Sequence, residues 1–324
     1  MVAVPRRALI APRHPAWGWR TELLFRTLRS ATASVALGAP PERIRARLDR
    51  VARLGQVRPG VKVRRTTYGG LRAASFEAGG CDASAGVLLH FHGGGYAVGS
   101  LTTHHHFLAD LASATRRRVV GVEYRKAPEH PFPAPVDDVV AAFRALVKSG
   151  VPAARIVVSG DSAGGGLALA LVQRLRDAGE AMPAALALFS PWVCLALEGE
   201  SMARNVRYDY LSKPAMERFA RYYLQGTDPR NPEVSPLHAD FRDLPPMLLQ
   251  AGGAELLVSD IERLAERARA AGVEVRLEVW DGMFHAFHGF AGLLPEAREA
   301  FRSTGRFVRS RLPAPTVPGL RVAL

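Results

Sequence analysis

Apolar and polar positions repeat along the chain in a fixed order. A short apolar run ends in small residues, and a segment with helical spacing follows. The runs Val87–Phe91, Val119–Tyr124, Ile156–Ser159, Ala184–Ser190, Pro246–Ala251 and Glu274–Trp280 read as strands. Several are apolar throughout, which is the pattern of a strand covered on both faces. Between them, Thr103–Ala114, Val136–Lys148, Gly165–Ala178, Ser259–Ala271 and Glu296–Leu312 carry helical periodicity. Val61–Phe76 alternates and predicts the first strands, turning at Gly69-Gly70. Strands that alternate with helices predict an α/β protein built on a mostly parallel, doubly wound sheet.

Three stretches stand apart. Residues 1–60 predict helices at Thr21–Arg29 and Pro40–Leu48, the second with proline at its start. Residues 193–242 hold polar segments, proline breaks and an aromatic helix with Phe219, Tyr222 and Tyr223. Pro128–Pro135 reads as a loop stiffened by its prolines. The body spans 61–312, and 313–324 reads as a loose tail.

The chemistry concentrates at Ser159-Gly160-Asp161-Ser162-Ala163-Gly164-Gly165-Gly166, between an apolar strand and an Ala/Leu-rich helix. A serine hydroxyl attacks only when a base can reach and take its proton. A sharp strand-to-helix turn with small flanking residues holds it out for that purpose. The helix start behind it adds favourable potential for negative charge. His92-Gly93-Gly94-Gly95 follows a second buried strand. Consecutive glycines expose backbone N–H groups, and two of these with the N–H of Ala163 would form an oxyanion hole.

With these motifs the chain resembles the hormone-sensitive-lipase family of α/β-hydrolase esterases. The resemblance rests on His92–Tyr96, Tyr124–Ala134, Gly160–Gly165, Ser190-Pro191-Trp192 and Gly282–Phe287, in that order, over roughly residues 86–287. It implies an α/β-hydrolase fold with a helical cap made of residues 1–60 and 193–242. It also implies Ser162 as nucleophile, and a histidine base after the last strand. His285 matches the family spacing better than His288, which reads as a helix-surface or supporting residue. The acid position reads Gly252-Gly253-Ala254-Glu255-Leu256-Leu257, so Glu255 stands where relatives usually carry aspartate followed by proline. Asp260 is the rival, with N-terminal helix capping as its structural alternative. Gly93, Gly94 and Ala163 are the expected oxyanion donors, Gly95 shapes the loop, and Tyr96 is a candidate pocket residue. His92 is expected to fix the loop by hydrogen bonding rather than to act as base.

Other polar groups change the picture less. His104-His105-His106 lacks ligand spacing to carboxylates or thiols and reads as a polar helix start. Neither metal nor cofactor is implied. The net charge is +13 with pI near 10.6. The basic residues are mostly arginines, dispersed, with no nucleic-acid signature among them. The two cysteines, Cys81 and Cys194, lack redox or metal spacing. No signal-peptide core or transmembrane run is present, so a cytoplasmic protein without stable membrane insertion is expected. The combined expectation is a serine carboxylesterase for short- to medium-chain acyl esters. Lactonase, deacetylase and amidase are alternatives on the same triad. A non-catalytic receptor on this fold is the alternative from another class. Relatives often dimerise, which makes a homodimer an expectation from the resemblance.

Overall fold

The computed structural model describes residues 12–36, 38–53, 59–81 and 85–312; the expected tail at 313–324 lies outside them. β1 (Val61–Tyr68) and β2 (Leu71–Ala78) form a hairpin in register from Tyr68 opposite Leu71 to Val61 opposite Ala78. Gly69 and Gly70 make the two-residue turn with φ of 59° and 80°. Glycine enters that left-handed region without a Cβ clash, which is why the turn falls there. The other strands are β3 (Val87–Phe91), β4 (Arg118–Val122), β5 (Ile156–Asp161), β6 (Ala185–Phe189), β7 (Met247–Gly252) and β8 (Val275–Trp280). The sheet order is β1-β2-β4-β3-β5-β6-β7-β8. β2 runs antiparallel to both neighbours, and β4 through β8 pair in parallel.

The apolar runs read as strands because successive side chains enter opposite layers. In β3, Val87, Leu89 and Phe91 join one core and Leu88 the other. In β7, Met247, Leu249 and Ala251 join the first core and Leu248 the second. The first layer is closed by α4 (Ala134–Lys148), α5 (Ala163–Asp177) and α8 (Val258–Ala270). The second is closed by α3 (His105–Thr115), α9 (Pro295–Arg311) and Phe25 of α1 (Trp19–Ala36).

Two groups of elements lie over the ends of the strands. α1 and α2 (Pro41–Ala52) precede the sheet, and α6 (Ser201–Arg204) and α7 (Lys213–Leu224) fall between β6 and β7. Ile44 of α2 packs with Val98, Ala215 and Phe219, joining α2 and α7 above the glycine loop. Arg45 of α2 donates to Ala97 O at 2.7 Å and Ala127 O at 2.7 Å, and pairs with Glu129 at 2.8 Å.

Among the element boundaries that differ from expectation, three bear on the site. α4 begins at Ala134, inside the stretch read as loop, because prolines fit a first helical turn. α5 begins at Ala163, directly after Ser162, although three glycines follow. Packing overrides propensity there: a Cβ on Gly164 would lie 1.9 Å from Phe91 O. α3 begins at His105, which leaves His104 outside the helix and free to turn toward the site.

Candidate active site

The carboxyl ends of the parallel strands converge, as expected for sites on such sheets. β5 delivers Ser162, β3 the glycine loop, β7 the loop holding Glu255, and β8 the loop holding His285. Ser162 has φ 52° and ψ −121°, a region a non-glycine residue occupies only at a cost. The turn is locked by Ser162 N–H to Phe189 O at 2.9 Å and Trp192 N–H to Ser162 O at 2.8 Å. Ser190 and Ala286 also have positive φ, 45° and 48°, so backbone strain collects around the nucleophile.

His285 Nε2 lies 2.9 Å from Ser162 Oγ. Glu255 Oε2 lies 3.7 Å from His285 Nδ1, an ion-pair separation longer than a direct hydrogen bond. The same carboxylate oxygen accepts from Ser190 Oγ at 2.6 Å and Gly252 N–H at 3.2 Å. Ser190 Oγ in turn accepts Ala286 N–H at 3.1 Å, so one serine bridges the acid and base loops. Burial alone would lower the His285 pKa; the Glu255 and Asp209 carboxylates outweigh it and raise it above the ordinary 6.5. Asp260 is not part of this cluster. Its Oδ1 pairs with Arg263 at 2.9 Å on α8. His288 is a core residue rather than a surface one. It is fully buried against Phe189 and Phe287, and burial pulls its pKa down to about 3.

The glycine loop requires one correction. The N–H of Gly93 donates to Asp161 Oδ1 at 2.9 Å. An amide has one proton, so Gly93 cannot also serve an oxyanion. Among the described residues, the N–H groups of Gly94, Gly95 and Ala163 have no acceptor. Tyr96 is also placed differently from the pocket reading. It is 1% exposed, stacks on Tyr223 at 3.9 Å between centroids, and belongs to the core under α7.

Asp161, between Gly160 and Ser162 in the elbow motif, was given no role by the sequence pattern, yet it ties the glycine loop to the elbow. It is buried and accepts from His90 Nε2 at 3.2 Å and His104 Nε2 at 3.2 Å, besides Gly93 N–H. Burial would raise its pKa, but His104 and His90 hold it well below the usual carboxylate range. Burial would lower the pKa of His104, and Asp161 reverses this and raises it. His90 is lowered by burial and stays neutral, its Nδ1 3.0 Å from Ser159 Oγ. His92 has its Nδ1 2.8 Å from Gly93 O and stacks on Tyr124 at 4.3 Å; burial takes its pKa to about 3. It is held within the loop, away from the nucleophile's proton. A pattern could have hinted at Asp161 only through the spacing of His90 and His104 around the glycine loop.

His105 packs edge-on against Phe76, so the three consecutive histidines do not act as a set. Among the described residues, no cluster of His, Cys, Asp and Glu could hold a metal ion. Among the same residues, no helix is long and apolar enough to cross a membrane. A cleft of about 1160 Å³ between α2, β1 and β2 is lined by Arg45, Arg65, Arg72 and His105 and includes none of Ser162, His285 or Glu255.

Residues 88–289 match the model of a family with the α/β hydrolase fold. An acetyl-hydrolase of Streptomyces hygroscopicus is 46% identical over 225 residues, covering 69% of this chain and 75% of that protein. An esterase of Acinetobacter venetianus is 38% identical over 291 residues, covering 89% of this chain and 94% of its own length. The crystal structure of an esterase from the bacterial hormone-sensitive lipase family superposes with a TM-score of 0.86 at 38% identity, covering 92% of this chain and 99% of that one.

Proposed function

We propose, from the premise that this chain belongs to the α/β-hydrolase-fold family as an esterase of the hormone-sensitive-lipase type, that it hydrolyses short- to medium-chain acyl esters through a Ser162–His285–Glu255 triad. The observation that carries the reading is the 2.9 Å approach of His285 Nε2 to Ser162 Oγ on the strained elbow. Ser162 Oγ attacks the ester carbonyl while His285 takes its proton. The carbonyl oxygen becomes an oxyanion, which the N–H groups of Gly94, Gly95 and Ala163 stabilise. Gly95 takes the place first expected of Gly93, whose proton Asp161 holds. His285 then protonates the departing alcohol. It next activates water, and the acyl group leaves Ser162 as the acid. Glu255 orients the imidazole and stabilises its cation without taking the proton.

The acyl limit is assigned to the cap elements α1, α2 and α7. Support for this comes from Phe219, which packs where a Cβ on Gly95 would lie 2.5 Å from its ring. Acetyl-group removal is the second reading. Two relatives carry acetyl-hydrolase in their names, from Streptomyces hygroscopicus and Mycobacterium tuberculosis. Ser162 is also only 9% exposed, which favours small acyl groups. Turnover of acetate, butyrate and longer esters by one preparation separates the two. Activity confined to acetate supports acetyl-hydrolase action, and a maximum at butyrate or hexanoate supports the broader esterase.

A further inference from the structure

Asp209 lies in the segment between α6 and α7, far in sequence from every triad residue, yet its carboxylate reaches both loops that carry the base and the acid. It is fully buried. Oδ2 accepts Leu256 N–H at 2.8 Å, next to Glu255. Oδ1 accepts His285 N–H at 3.4 Å and Leu211 N–H at 3.3 Å. Among the described residues, the groups that act most on its carboxyl are His285, Glu255 and the N–H groups of Leu256 and Leu211, with no arginine or lysine among them. A buried carboxylate held by three N–H donors is an expensive arrangement. Here the histidine that supplies one of those N–H groups is the base itself.

The same segment is gripped from outside by α1. Arg29 Nη1 lies 3.1 Å from Val206 O and 3.2 Å from Asp209 O. Thr32 Oγ1 lies 2.8 Å from Tyr210 O. The ring of Tyr210 stands 5.7 Å from Phe284 and 6.2 Å from His285. α1 therefore holds the 206–210 segment, and that segment holds the base and acid loops. The long 3.7 Å step from Glu255 to His285 makes this outer support more important, because the triad does not lock itself.

We propose that Asp209 is a positioning residue, linking the docking of α1 to the alignment of His285 and Glu255. The proposal rests on the triad reading above. With α1 docked, Asp209 sets the two loops at the spacing that the proton transfer needs. When the grip of Arg29 is lost, the loops relax and turnover falls, even for a substrate too small to touch the cap. Burial, with Glu255 adding to it, pushes the carboxyl up to about 6 against the opposing pull of His285. In its ionised form it adds to the field that raises the His285 pKa.

The test uses the full chain and p-nitrophenyl acetate, comparing wild type with Asp209→Asn, Arg29→Ala and the double variant. Rates of Ser162 labelling by a fluorophosphonate are measured on the same preparations, with Ser162→Ala as the blank. Asp209→Asn is expected to lower kcat by about a hundredfold, the scale of a misplaced reacting group, with KM changed less than about threefold. It should also shift the acid limb of kcat/KM to lower pH, which a purely structural loss would not do. Arg29→Ala is expected to lower kcat in wild type and to have little further effect beside Asp209→Asn, a non-additivity above about twofold. Arg29 is part-exposed, so its variant keeps the test decisive if Asp209→Asn fails to fold. Unchanged kcat in Arg29→Ala, or two independent losses that simply multiply, overturns the proposal. Fluorophosphonate labelling that persists in Ser162→Ala would instead count against the triad reading itself.

Discussion

Ser162 and His285 account for the chemistry only if the histidine is neutral when it takes the proton. Its pKa lies above 6.5, because the Glu255 and Asp209 carboxylates outweigh the burial that would lower it. A profile of kcat/KM should accordingly fall on the acid side through a midpoint above pH 6.5. A midpoint well below that value would mean the carboxylates do not act on His285. Asp161 gives a second residue-scale prediction. Asp161→Asn leaves one ring N–H without its charged acceptor and loosens Gly93, and kcat should fall about a hundredfold. A variant with near-normal kcat would free the glycine loop from Asp161. The linked stability effect has a definite sign. The folded pKa of His104 is raised, so its pairing contributes fully below pH 6.5 and is lost as pH rises through the folded value. The Asp161 value is depressed, so its share is present above pH 3.8 and is lost only as pH falls through the folded value. The gap in Tm between wild type and His104→Gln should be widest near about pH 6 and narrow toward about pH 9. A gap that widens with pH would reverse the assignment of charge to His104.

At the scale of elements, the elbow is built by close packing rather than by helix propensity. α5 opens with Ala163 and three glycines because β3 crosses directly against it. A Cβ on Gly164 would meet Phe91 O at 1.9 Å, and one on Gly160 would meet Gly164 O at 2.3 Å. Gly164→Ala should therefore destabilise the protein by about 3 kcal/mol, the upper range of overpacking, read as a fall in Tm. Gly289→Ala, at an open position, is the control and should be nearly silent. Equal effects of the two would refute the steric account. The elbow and the glycine loop were legible in the sequence because β3 and β5 are buried, largely apolar runs followed by small residues, and the motifs sit at their ends. The role of Asp161 was not legible. Its partners His90, Gly93 and His104 are 57–71 residues distant and meet it only when β3 and β5 pair. The start of α3 hid His104 for a similar reason, because helical spacing does not say at which residue the first turn begins; the helix starts at His105, two residues after the expected Thr103. The donor choice between Gly93 and Gly95 depends on peptide orientation, which residue type does not encode.

For the whole molecule, elements before β1 and between β6 and β7 meet where Ile44 packs with Val98, Ala215 and Phe219. α1 and the residues just before it reach the base loop: Trp17, ahead of α1, and Phe25 on it pack with Phe284, and Trp17 Nε1 donates to Gly282 O. Pattern reading placed helices in residues 1–60, but not this contact, because nothing local marks which face meets Phe284. The excess of positive charge, +13 in all, is spread over many exposed arginines, several of which pair with carboxylates on the surface. Such pairs contribute little each and are weakened by salt, so they do not set the fold. The central claim is a serine esterase acting through Ser162. It is tested most directly by hydrolysis of p-nitrophenyl esters from acetate to palmitate, with Ser162→Ala measured beside the wild type. The account predicts a maximum at short or medium chains and a loss of at least about a thousandfold in turnover for the variant. A folded wild type that cleaves none of the series, or a Ser162→Ala variant that keeps its activity, would contradict it.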